Sequence, residues 1–79
     1  MSLGERIAKI RRSKGISQVF IAGKLNKTSA WLSNIENGRR EIGAEELHQI
    51  AEVMGVNIGI FFKDELNDTF SSNLNLTGS

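Results

Sequence analysis

The stretch T-S-A-W-L-S-N-I-E-N-G-R-R, Thr28 to Arg40, decides how the rest of the chain is read. Trp31, Leu32 and Ile35 recur at helical spacing and make one apolar face. Ser29, Ser33 and Asn34 fall on another side. Thr28 stands where an N-cap belongs, and Gly38 stops the run ahead of two arginines. A solvated helix face usually carries long Glu and Lys side chains. Short hydrogen-bonding ones instead let the helix lie close against a partner.

Working outward, Leu3, Ile7 and Ile10, with Ala8 one step off, predict a first helix over roughly 3–14, ended by Gly15. Ile16 follows as a buried linker residue. Ser17 caps a second short helix that runs from Gln18 through Ile21, Ala22 and Leu25. Asn26 and Lys27 form a tight connection, Asn being tolerant of the left-handed conformation such turns need. Ala22 and Ala30 are the candidates for a close crossing of helices two and three. Gly43 opens helix four, with Glu45 and Glu46 in its first turn favourable to the helix dipole. Leu47, Ile50, Ala51 and Met54 make that helix's buried stripe, and Gly55 ends it. Asn57 caps a fifth, short helix through Ile58, Ile60, Phe61 and Phe62.

No alternating strand pattern occurs, so the expected class is all-α, a bundle of five short helices containing a helix-turn-helix. Residues 1–64 are expected to form one domain. Residues 65–79 read as a polar tail with sparse Phe70, Leu74 and Leu76, either mobile or ordering on a partner.

The 79 residues include neither cysteine nor proline. No disulfide or thiolate metal site is available, so stability must come from the core, or from the core plus a second subunit. No apolar run approaches the roughly 20 residues of a membrane span. The start, M-S-L-G-E-R, lacks the apolar region of a signal peptide, and a cytoplasmic location is expected. The net charge of +1 hides an asymmetry. Residues 1–40 carry nine Lys and Arg against Glu5 and Glu36, a net +7. Residues 41–79 carry Lys63 against seven acids, a net −6. A basic half suits a polyanion.

Enzymatic readings find little support. His48 is the only histidine and has no nucleophile at a recognisable spacing. Glu45, Glu46 and Glu52 read as helix-start and surface acids, and Asp64, Glu65 and Asp68 match no cation loop. No glycine-rich phosphate cradle occurs, and no metal or cofactor is expected.

A helix ending near Leu25, about three connecting residues and a second helix match a helix-turn-helix, whose second helix enters the DNA major groove. Leu32 and Ile35 hold that helix to the core in this reading. Ser29, Ala30, Ser33 and Asn34 then face outward as base-reading candidates. Asn pairs bidentately with adenine, Ser donates or accepts, and the Ala methyl meets a thymine methyl.

Residues 16–40, I-S-Q-V-F-I-A-G-K-L-N-K-T-S-A-W-L-S-N-I-E-N-G-R-R, resemble the helix-turn-helix core of the lambda-repressor-like (XRE, or Cro/CI-type) family. Residues 47–62, L-H-Q-I-A-E-V-M-G-V-N-I-G-I-F-F, resemble its fourth and fifth helices. With R-I-A-K-I-R-R-S-K-G at 6–15 the resemblance covers about residues 3–62. Gln18, Ala22, Ile35-Glu36, Gly38, Ala51 and Gly55 carry the family's spacing. The resemblance implies that Gln18 touches phosphate and sometimes the neighbouring base. It implies base contacts at Ser29, Ala30, Ser33 and Asn34, and phosphate contacts at Thr28, Trp31, Asn37, Arg39 and Arg40. It also implies that Glu36 pairs with Arg11, a pair read here as tying helix one to helix three. Lys27, beside the turn, is a further phosphate candidate, whereas Arg6, Lys9, Arg12 and Lys14 read as solvated.

Departures from the pattern matter too. Asn26 stands where Gly is usual. Gly23 weakens helix two by ~1 kcal/mol relative to Ala. Val19 and Phe20 replace polar residues and read as extra packing in preference to a partner surface. Trp31 is read as a phosphate donor at the groove edge, with burial against helix two or Phe20 as the alternative. The reading face carries no Arg or Gln, so specificity is expected to lean on DNA shape.

One recognition helix gives too little affinity, and dimerisation across a pseudo-palindrome is the usual remedy. Ile60, Phe61 and Phe62 form the candidate dimer interface, Ile60 first, with Phe61 and part of Phe62 shared with the core. The expected function is a dimeric, double-stranded-DNA-binding transcriptional repressor. The alternative is an antitoxin or adaptor, whose protein partner is held by the fifth helix and the tail.

Overall fold

The computed structural model describes residues 1–63. The tail at 65–79, with Phe70, Leu74 and Leu76, lies outside the described residues. Four α-helices, α1 (Leu3–Ser13), α2 (Gln18–Lys24), α3 (Ser29–Glu36) and α4 (Ala44–Met54), precede a 3₁₀ helix at Ile58–Phe62. Among the described residues there is no strand. The last element is 3₁₀ rather than α. Its five residues include Gly59, and short runs favour the tighter turn.

Helix starts follow local chemistry. The Ser17 hydroxyl accepts from the Phe20 N–H at 3.0 Å, and Thr28 Oγ1 accepts from the Trp31 N–H at 3.1 Å. Ser2 and Glu5 form a reciprocal capping box at the start of α1, which the S-x-x-E spacing signals. The Ser2 N–H and hydroxyl hold the Glu5 carboxyl below the usual range. At α4, Glu46 accepts from the Gly43 N–H at 3.3 Å.

Helix ends share one device. At α1, α2 and α3 the N–H two residues past the cap reaches back to a carbonyl inside the helix, and the residue between is left-handed. At α4 the left-handed Gly55 is itself the cap, and the next N–H, of Val56, donates to the Ala51 carbonyl. In α2 the left-handed residue is Asn26, at φ 58°, with Lys27 N–H donating to Ala22 O at 2.8 Å. Asn serves where Gly is usual because its short polar side chain tolerates this region.

Among the described residues, Ile7, Ile21, Leu32, Ile50 and Phe61 are the largest fully buried side chains. Trp31, Ile35, Leu47, Ala51 and Met54 complete the core. α1 approaches the backbone of α3 tightly at Gly4, where a Cβ would run into the Ile35 carbonyl oxygen. Nothing in the sequence marks Gly4 as a contact point. Gly4→Ala gains helix propensity, about 1 kcal/mol, yet drives a methyl into backbone that has no rotamer to change. The expected result is a net loss of up to about 2 kcal/mol, seen as a thermal midpoint several degrees lower.

Three expectations are corrected by packing. Phe61 is fully buried among the helices, so it belongs to the core and offers nothing to a dimer partner. Val19 and Phe20 are not extra packing: they are 69% and 50% exposed. Arg6 is not simply solvated; its guanidinium donates to the Phe61 carbonyl at 2.9 Å and to the Met1 carbonyl at 3.0 Å.

Candidate nucleic-acid interface

The two sides of α3 separate cleanly. Trp31, Leu32, Ile35 and Glu36 are buried, and Ser29 and Ala30 are exposed, with Ser33 and Asn34 half-buried beside them. Because side chains repeat every 3.6 residues, 29, 30, 33, 34 and 37 share the outer face. That face carries no long side chain. Asn37 donates from Nδ2 to the Ser33 hydroxyl at 3.3 Å, so these two polar groups are already oriented together.

Gly38, at φ 77°, ends α3. Arg39 and Arg40 then both donate their backbone N–H to the Asn34 carbonyl, at 2.8 and 3.2 Å. The chain is thereby pinned where two exposed guanidinium groups leave the end of α3. Thr28 spends an oxygen lone pair on its cap and keeps its hydroxyl proton to donate.

Beneath this face lies a buried polar network. Arg11 Nε donates to Glu36 Oε2 at 2.7 Å, and its Nη2 donates to Oε1 at 3.0 Å. Arg11 also donates to the Ile16 carbonyl at 2.9 Å. Both partners of the pair are buried, and they tie α1 to α3 and to the linker before α2. Gln18 Nε2 donates to Glu36 Oε1 at 2.8 Å. A carboxylate only accepts, so the Gln18 amide must turn its nitrogen toward Glu36. One N–H and the carbonyl oxygen of Gln18 remain for other partners.

Trp31 does not present its indole N–H to solvent. The residue is 8% exposed, and its Nε1 is buried without a hydrogen-bond partner. A phosphate cannot reach that N–H without moving the ring, which corrects the phosphate role expected for it. The apolar body of the ring supplies core area that outweighs an unpaired donor. Lys27 covers it, with Nζ 5.5 Å from the ring centre. Of the two alanines considered for the helix crossing, Ala22 is buried and Ala30 is exposed.

Ser29, Ala30, Ser33, Asn34, Asn37, Arg39 and Arg40 therefore lie on or beside one surface, with Gln18, Lys27 and Thr28 contributed from α2 and the turn. Among the described residues no three His, Asp or Glu side chains form a metal-binding group. Two short helices joined by a left-handed turn, the second with a short polar outer face, define a helix-turn-helix DNA-binding domain.

The chain belongs to the helix-turn-helix family, matching it over residues 7–61. It is 29% identical over 65 residues to the immunity repressor protein of Bacillus phage phi105, covering 82% of this chain and 45% of that protein. An uncharacterised HTH-type transcriptional regulator of Sinorhizobium fredii is 32% identical over 54 residues, covering 68% of this chain and 70% of the relative. The chain thus spans about half the length of the phage repressor and more of the smaller regulator. In structure it is similar to the clp gene regulator ClgR from C. glutamicum, with TM-score 0.72 and 25% identity over 76% of this chain and 78% of that one. The restriction-modification controller protein C.AhdI from Aeromonas hydrophila shares the fold at TM-score 0.70 and 20% identity, over 75% and 86% of the two chains. Family and relatives are regulators of transcription, not enzymes. No helix among the described residues is long and apolar enough to cross a membrane.

Proposed function

We propose that this chain is the operator-reading domain of a dimeric, cytoplasmic transcriptional repressor that binds a pseudo-palindromic site through α3 of each copy. The observation that carries this reading is the outer face of α3. Short polar side chains line it, a packed core lies behind it, and two arginines pinned by their backbone stand at its end.

In this reading α3 enters the major groove, and Ser29, Ala30, Ser33 and Asn34 meet base edges. Thr28, Lys27, Asn37, Arg39 and Arg40 hold phosphates, and the outward N–H of Gln18 adds another such contact. The basic first half supplies the long-range attraction. Dimerisation falls to the half-buried Ile60 and the exposed Phe62, which sets the half-sites about 34 Å apart. Repression follows from occupying promoter DNA that polymerase needs.

Selection from a pool of random duplexes tests the reading directly. A palindromic consensus is expected, with affinity falling by roughly 0.9 log units per log unit of salt for each phosphate neutralised. Asn34→Ala is expected to lose about 1–3 kcal/mol of discrimination at one position in each half-site. Arg39→Ala should weaken all sequences alike and lower the salt slope by about 1. If no sequence is enriched and neither variant changes binding, the reading is wrong.

A further inference from the structure

Lys27 has two partners in the free domain. Its ammonium lies 5.5 Å from the centre of the Trp31 ring and 3.5 Å from Glu46 Oε2. Its backbone is held as well, by the N–H bond to the Ala22 carbonyl at 2.8 Å. Together these contacts clasp the turn before α3 to the first turn of α4. The clasp closes beside Thr28 and Ser29, the end of α3 assigned above to the groove.

The ion pair is built to exchange. Its two side chains are 38% and 28% exposed, and pairs so accessible to water hold weakly. Carboxylate and phosphate are both oxyanion acceptors, and the lysine ammonium is a mobile point charge on a flexible stem. DNA offers a dense line of such acceptors, and each one a lysine neutralises releases a condensed counterion. Glu46, in contrast, is anchored. Its other oxygen accepts from the Gly43 N–H at 3.3 Å, so the carboxylate stays in place when the ammonium leaves.

Resting on the DNA-binding reading, we propose that Glu46 is an internal competitor for Lys27, occupying the ammonium in the free domain and giving it up to a backbone phosphate in the complex. Glu46 sets the affinity without touching DNA. It lowers binding to every sequence by the same factor, because a phosphate carries no base identity. It also limits non-specific adhesion of the basic half to polyanions.

The test is a double-mutant cycle on the duplex selected above, using Glu46→Gln, Lys27→Gln and the double variant. Gln keeps an acceptor for the Gly43 N–H, and position 27 is exposed, so each variant retains the fold. Glu46→Gln is expected to tighten binding by about two- to fivefold per half-site, as befits an exposed ion pair. The gain should shrink as salt rises and screens the pair. In the Lys27→Gln background the same substitution should change affinity little. Equal factors in both backgrounds would make Glu46 a diffuse repulsive charge, which overturns the proposal and leaves the DNA reading standing. A wild-type chain that enriches no duplex overturns both.

Discussion

Glu36→Ala is expected to remove a large share of the domain's stability, about 3–5 kcal/mol. Glu36 is 5% exposed and is the shared acceptor for two Arg11 nitrogens and for the Gln18 amide. Removing it strands the guanidinium of Arg11, a side chain that is itself only 9% exposed. Breaking a buried pair from one side costs about 3–5 kcal/mol, because the remaining charge stays desolvated without a partner. A domain of this size has only about 3–9 kcal/mol in total. Chemical denaturation followed by circular dichroism measures the loss, and a midpoint unchanged from wild type would refute it. The double substitution Arg11→Met with Glu36→Leu should behave differently. Replacing both charges with packed apolar groups is often neutral or stabilising, so that variant should fold. It would also leave Gln18 without the acceptor that orients it. A folded double variant with weakened binding to the selected duplex would separate the network's part in stability from its part in positioning Gln18.

Phe61→Ala should be comparably severe, for a different reason. The ring is fully buried, and Arg6 of α1 holds the Phe61 carbonyl at 2.9 Å. Truncating a buried Phe costs about 3–5 kcal/mol, through lost transfer energy and the cavity left behind. Phe62→Ala, one residue on, removes a side chain that is 55% exposed and should leave the unfolding midpoint of the monomer almost unchanged. If the 3₁₀ helix mediates dimerisation, the Phe62 variant should instead raise the dissociation constant seen by sedimentation. A Phe61 variant as stable as wild type would remove this residue from the core. A Phe62 variant with unaltered self-association would move the dimer surface elsewhere.

These adjacent residues show where reading the sequence stops. In I-F-F both aromatics sit in one short apolar run, and nothing local to it says that Phe61 belongs wholly to the core. The difference arises from how the 3₁₀ helix rests on α1 and α4. Trp31 raises the same difficulty. Its place in the apolar stripe and its polar tip support opposite readings, and the crossing of α3 over its neighbours seals the indole N–H inside. Val19 and Phe20 run the other way: apolar by type, they are left in water because α2 turns its other side, Ile21 and Ala22, to the core. The dependence of α1 on a bare α-carbon at Gly4 has no sequence signal at all.

The features legible in the sequence are local ones. Caps at Ser17 and Thr28, stops at Gly15, Asn26, Gly38 and Gly55, and the 3.6-residue stripes follow from bonds made within one turn or from a periodicity visible in one segment. The separation of α3 into an apolar side and a short polar side belongs here too, and with it the helix-turn-helix. Packing between helices sets which of several apolar residues are enclosed, and that Lys27 faces Glu46. It also turned the Gln18 nitrogen inward to Glu36. These contacts join residues that are distant in the chain or on different helices. Their geometry depends on crossing angles set by the whole core, and no short window of sequence contains them.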